Sequence, residues 1–246
     1  MKILLPTAKE MNTKLPSQTM TALSLQSLPI VEAIASLSEQ ALVKHYKIKP
    51  EAVGLESSRW ADLAQGTSQA YPAWQLFDGL MYRQIKRENL SDKAQVYLSR
   101  HAFITSALYG VINVFDSISP HRLDFLMGFK VNGQSLKSYW REAFDQAVAE
   151  DDFLISLLSS EFETVFSKVA QDKMVKLVFM ENKAGQLKTH STISKKARGK
   201  CLNALVDNQV TSLEQIKQLQ FDGFSYREKL SKERTLVFVK EQSASS

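Results

Sequence analysis

The sequence predicts an α+β fold: a single domain with a mixed β-sheet, wrapped by helices and ending in C-terminal β-hairpins. Three observations predict it. Short apolar runs of strand length alternate with segments of helical periodicity through the first two-thirds of the 246 residues. Two hairpin signals fill the last third. No repeat, heptad or Gly/Ser/Pro-rich linker divides the chain. The expected domain spans 1–241, with 242–246 as a disordered tail.

Lys2 to Leu5 is apolar after its lysine and reads as a buried strand stopped by Pro6. Residues 11–28, rich in Thr, Ser, Gln and Leu, read as a surface excursion. Ile30 to Tyr46 has helical spacing, with Pro29 at its start where a missing N–H costs little. Lys47-Ile48-Lys49-Pro50 breaks it, and Glu51 to Ala64 is a further short helix. Residues 73–80 are apolar and aromatic, and a helix is expected from Met81 to Glu88. Ser91 is placed to cap a helix ending at Arg100. Ala102 to Leu108 reads as a buried strand, followed by a loop framed by Gly110 and Pro120. Gln134 to Ala149 is an amphipathic helix, ended by Asp151-Asp152, and Phe153 to Leu158 is another buried strand. Val175 to Met180 and Leu187 to Ile193 flank a glycine-containing turn. Ser194 is placed to cap a helix over Lys195 to Asp207. Phe221 to Tyr226 and Thr235 to Val239 form the second hairpin.

The net charge is +5, and its distribution is uneven. Residues 1–164 hold 16 basic and 18 acidic residues; residues 165–240 hold 15 basic and 7 acidic, a net of +8. The densest stretch is Lys188 to Lys200, which has no carboxylate. Such a stretch attracts phosphate or simply solvates a surface, and both readings stay open. A single cysteine, Cys201, excludes an internal disulfide and a cysteine-rich zinc site. No apolar run approaches the roughly 20 residues of a membrane span, and no targeting segment is evident, so the cytoplasm is expected.

Familiar catalytic patterns are missing. There is no Gly-x-Gly-x-x-Gly, P-loop, His-Glu-x-x-His or Gly-x-Ser-x-Gly, and the four histidines lie far apart. No cofactor or metal is called for, and no catalytic residue is assigned. Cys201, in its basic stretch, reads either as a favoured thiolate or as a small buried hydrophobe.

Several segments, in order, resemble the YaaA family of bacterial peroxide-stress proteins. They are Leu5-Pro6-Thr7-Ala8-Lys9, Phe77 to Tyr82, Ser106 to Val111 followed by Asp116 and by Ser119-Pro120-His121-Arg122-Leu123-Asp124, then Tyr139-Trp140, Leu158 to Phe162 and Lys195-Lys196-Ala197-Arg198-Gly199. The last matches the family's Lys-Lys-Ala-Arg-Gly without change. Ala107 replaces a Gly, His121 a Tyr and Asp124 a Glu. The resemblance implies one α+β domain and a role in limiting peroxide damage, associated with lowered free iron. It also implies DNA binding through a positive cleft and a helix-hairpin-helix element. The nearest match to that element is Ile30–Tyr46, Lys47–Pro50 and Glu51–Ala64, which reads equally as two core helices.

Lys9, Arg122, Lys195, Lys196, Arg198 and Gly199 are therefore the expected phosphate or DNA contacts. Three cations at a helix start disfavour the helix unless an anion visits its free N–H groups. Thr7, Tyr82, Ser106, Tyr109, Asp116, Ser159 and Glu161 are candidates for a shared pocket. Arg122 has an anion, Asp116 or Asp124 as alternative partners. Tyr82 and Tyr109 either stack on a base or sit in the core. Two function classes follow: a DNA-binding stress protein, or an enzyme acting on a nucleotide or damaged base in a pocket of Lys9, Arg122 and Lys196. Direct iron binding is a third, poorly served by the His and Cys inventory.

Overall fold

The structure is a computed structural model and describes residues 1–20 and 22–241. The expected tail at 242–246 lies outside the described residues. In chain order the elements are β1 (Lys2–Pro6), β2 (Gln18–Thr19), α1 (Leu28–Ala35), α2 (Glu39–Tyr46), α3 (Val53–Gln65), β3 (Gln69–Pro72), α4 (Ala73–Leu76) and α5 (Asp92–His101). There follow β4 (Ala102–Ser106), β5 (Gly110–Asn113), β6 (Ser117–Ile118), β7 (Lys130–Val131), β8 (Gln134–Ser135), α6 (Leu136–Ala147), β9 (Leu154–Ser156), α7 (Ser160–Glu163) and α8 (Lys168–Asp172). The chain continues with β10 (Met174–Lys183), β11 (Gln186–Lys188), α9 (Ser191–Asp207), α10 (Leu213–Gln218), β12 (Gln220–Phe221), β13 (Phe224–Tyr226) and β14 (Thr235–Glu241).

The fold is α+β. Its main sheet runs β12-β13-β14-β10-β9-β1-β4-β5, with β11 paired to β10. The centre, from β14 to β4, is parallel. Antiparallel strands close both edges, β5 on β4 and the β12-β13 hairpin on β14.

Strand alternation makes this a two-faced sheet. On β1, Ile3 and Leu5 join Tyr97 and Leu98 of α5 and Cys201, Leu202 and Leu205 of α9. Leu4 points to the other face, among Val31 of α1, Trp60 of α3, and Trp140 and Phe144 of α6. All of these are 3% exposed or less. A sheet buried on both faces explains why its central strands are apolar runs rather than alternating ones.

β4 and β9 flank β1 on opposite sides. The helix leading into β4, α5, lies on one face; the helix leading into β9, α6, lies on the other. The chain therefore leaves a crevice at the carboxyl ends of β1 and β9, the usual place for a ligand in such sheets.

Several expectations need correction. The helix expected over Ile30–Tyr46 is two helices, because Ser38 is extended and its hydroxyl accepts from the Ala41 amide as a new N-cap. Lys47, at φ 53°, ends the second. The helix expected over Met81–Glu88 is one 3-10 turn, Tyr82–Gln84. The loop expected from Gly110 to Pro120 contains β5 and β6. The amphipathic helix starts at Leu136, after a small β7-β8 hairpin. The expected strand to Ile193 stops at Lys188, and α9 begins at Ser191, not after Ser194.

Candidate functional site

The crevice holds a cavity of about 360 Å³. The turn after β1 supplies Thr7, Ala8, Lys9 and Glu10, and the turn after β9 supplies Ser159, Glu161 and Phe162. Gly79 to Tyr82 form another wall, tied to β1 by the Tyr82 hydroxyl, which donates to the Pro6 carbonyl at 2.8 Å. The loop at Arg122 to Asp124 and the side chains of Lys195 and Arg198 from α9 complete it. Leu80, Met81, Leu123 and Phe162 make part of the lining apolar.

The cations are held differently. Lys9 is exposed and its Nζ lies 3.3 Å from Asp124 Oδ2. Arg122 has no ion pair among the described residues; its guanidinium lies 5.3 Å from the centre of the Tyr46 ring. Its Nε is buried without a hydrogen-bond partner. Arg198 is half-buried, and burial pulls its pKa down from the ordinary arginine value while Glu163 opposes that. Arg198 too has no ion pair among the described residues. Two such guanidinium groups carry unused donors and uncompensated charge, which favours an anionic partner.

Two carboxyl groups line the same cavity. Asp124 is 8% exposed; its Oδ1 accepts from the Leu126 amide at 2.9 Å and its Oδ2 pairs with Lys9. Glu161 Oε1 accepts from the Phe125 amide at 3.0 Å. Burial raises the Glu161 pKa above the usual carboxylate range, and the nearby Asp124 charge adds to the rise. Among the described residues, no three His, Cys, Asp or Glu side chains gather as a metal site would require.

The model of the family described as peroxide stress protein YaaA matches residues 1–230. The chain belongs to the YaaA family. A UPF0246 protein of Streptococcus pneumoniae (strain ATCC 700669 / Spain 23F-1) is 54% identical over 241 residues, 98% of this chain and all of its own. One from Streptococcus pneumoniae strain JJA matches equally, and one from Streptococcus sanguinis strain SK36 is 51% identical over the same spans.

The YaaA-like segments Leu5–Lys9, Phe77–Tyr82, Ser119–Asp124, Leu158–Phe162 and Lys195–Gly199 each contribute to the cavity wall. Two others do not. Ser106 is fully buried and its Oγ accepts from the amides of Leu108 and Tyr109, shaping the turn after β4. Trp140 donates to the Ala107 carbonyl at 2.8 Å and packs where a Cβ on Gly110 would sit. These YaaA motifs serve the core.

Of the predicted residues, the structure brings together Lys9, Arg122, Lys195, Arg198, Thr7, Tyr82, Ser159 and Glu161. It does not bring in Lys196, which is exposed and outside the lining, or Asp116, whose Oδ2 accepts from the Asn113 amide. Tyr109 belongs to the core, its hydroxyl accepting from the Ser119 amide. Gly199 is buried where a Cβ would overlap the Met81 carbonyl oxygen. Arg122 pairs with neither Asp116 nor Asp124. With α9 starting at Ser191, Lys195 to Arg198 lie beyond its free N–H groups, so the helix-start argument does not apply. In the helix-hairpin-helix candidate, Gly54 lies in the first turn of α3 and not in the turn that joins the two helices. Asp124 enters the sequence reading only as an alternative partner for Arg122; its pairing with Lys9 in the cavity wall is a contact across the fold. Met81 falls within the family-like Phe77–Tyr82 segment, whereas no sequence signal marks Glu10.

No helix among the described residues is long and apolar enough to cross a membrane.

Proposed function

We propose that this peroxide stress protein binds a phosphate-bearing nucleotide unit in the cavity at the ends of β1 and β9. The carrying observation is the pair Arg122 and Arg198, two partly buried guanidinium groups without ion pairs among the described residues, on one cavity wall system. Each supplies forked donors for phosphate. The apolar lining beside them suits a flat heterocycle, and about 360 Å³ is within the range of small-ligand sites. Lys9 and Lys195 add positive charge at the mouth. The cytoplasm, where nucleotides and their polymers are abundant, fits this reading.

A second reading is DNA binding without base specificity. It is favoured by Lys188, Lys195 and Lys196, which are exposed and have no ion pair among the described residues. Many other cations of the +8 region are already paired, including Lys176 with Glu163, Lys200 and Lys240 with Asp222, and Arg227 with Glu241. The basic excess available to a polymer is therefore narrower than the sequence count.

Fluorescence anisotropy with labelled thymidine dinucleotide (TpT) and labelled duplex DNA, over a salt series, separates the two. The cavity reading expects TpT to bind with a shallow salt slope and Arg122→Ala to weaken that binding by about tenfold or more. The polymer reading expects a steep slope for duplex that Lys195→Ala with Lys196→Ala reduces by about 2. Binding of neither probe at low salt removes both readings.

A further inference from the structure

The cavity that holds these cations also holds a carboxyl group that nothing yet accounts for. Glu161 Oε1 is satisfied by the Phe125 amide, while Oε2 has no hydrogen-bond partner among the described residues. Asp124 beside it is better served, with an amide on Oδ1 and Lys9 on Oδ2. The charged groups that act on Glu161 come from three directions: Asp124 from its loop, Lys9 from the turn after β1, and Lys137 from α6. An anion held by Arg122 and Arg198 would bring further negative charge into the same cavity. Like charges in one partly enclosed space favour the neutral form of the group with the weakest support.

We propose that Glu161 recognises the ligand as a neutral carboxyl, its Oε2 donating a hydrogen bond to an acceptor oxygen or nitrogen adjoining the anionic group. Binding then takes up one proton, which goes from solvent to Glu161. The cavity selects an anion that carries a nearby unprotonated acceptor, such as a phosphodiester beside a sugar or base carbonyl. This inference rests on the reading of the cavity as an anion site, and it adds the chemistry of the second half of the ligand. The raised Glu161 pKa, caused first by burial and then by Asp124, agrees with it.

The test is isothermal titration of TpT, whose phosphodiester does not titrate near neutrality, in pairs of buffers with different ionisation heats. The wild-type chain is expected to take up a proton on binding. Its affinity is expected to fall by up to about tenfold per pH unit once free Glu161 has lost its proton. Glu161→Gln, whose amide donates from the same position, is expected to bind with no proton uptake and a flat pH profile. Carbon-13 NMR of the Glu161 carboxyl in the wild-type chain gives a second readout, with its titration moved upward by TpT. Binding without uptake, uptake unchanged in Glu161→Gln, or a Glu161 signal unmoved by TpT overturns this inference and leaves the anion site standing. No binding of TpT overturns both.

Discussion

Arg122 and Arg198 are legible in the sequence as cations in family-like segments, but their lack of ion pairs is not. That depends on Asp124 turning to Lys9 and on Arg122 lying over Tyr46, contacts across distant parts of the chain. A charge-assisted hydrogen bond contributes about 1.5–3 kcal/mol, so Arg122→Ala and Arg198→Ala should each weaken TpT binding by about tenfold or more. Cys201 is fully buried, and burial pushes its thiol well above the usual cysteine value. We expect no reaction with a thiol reagent or with hydrogen peroxide in the native chain, and full reaction in denaturant. Rapid native labelling would contradict this and would reopen a thiol role in peroxide stress. His121 is 1% exposed, and burial pushes its imidazole down to about 4. The unfolded chain takes up that proton near pH 6.5, the folded chain only near 4, so the unfolded state holds more protons in between. Stability should therefore fall as pH falls through that window, by about 3 kcal/mol for this group. Urea unfolding at several pH values checks it, with His121→Gln expected to flatten the difference.

At the scale of elements, the central strands were readable because both faces are buried and the runs are apolar. Boundaries were lost where polar caps decide them. Ser38 splits one expected helix, and the earlier start of α9 at Ser191 moves its cations away from the helix end. The segment from Met81 onward is not a helix because it is held against α9 and the end of β1. Gly199 permits that approach, since any side chain there meets the Met81 carbonyl and the Gln84 side chain. Gly199→Ala should destabilise the fold by about 1–3 kcal/mol and loosen the wall that carries Met81 and Tyr82. Denaturant unfolding measures the first effect, and weaker TpT binding at a temperature where the variant is folded reports the second.

At the scale of the whole molecule, two cores share one sheet, and the crevice lies where the helices change faces. Phe144 anchors the second core, fully buried among Phe125, Trp140 and Phe166. Phe144→Ala should cost about 3–5 kcal/mol, seen as a lower unfolding midpoint. The family-like segments are scattered in sequence, yet most of them converge on one crevice. That convergence follows from the β9-β1-β4 order, which no local pattern encodes. The most direct test of the central claim is calorimetric titration of TpT into the wild-type chain and into the Arg122→Ala, Arg198→Ala double variant at fixed salt. The cavity account predicts saturable one-to-one binding by the wild type and none by a folded double variant. Equal binding by both would contradict it.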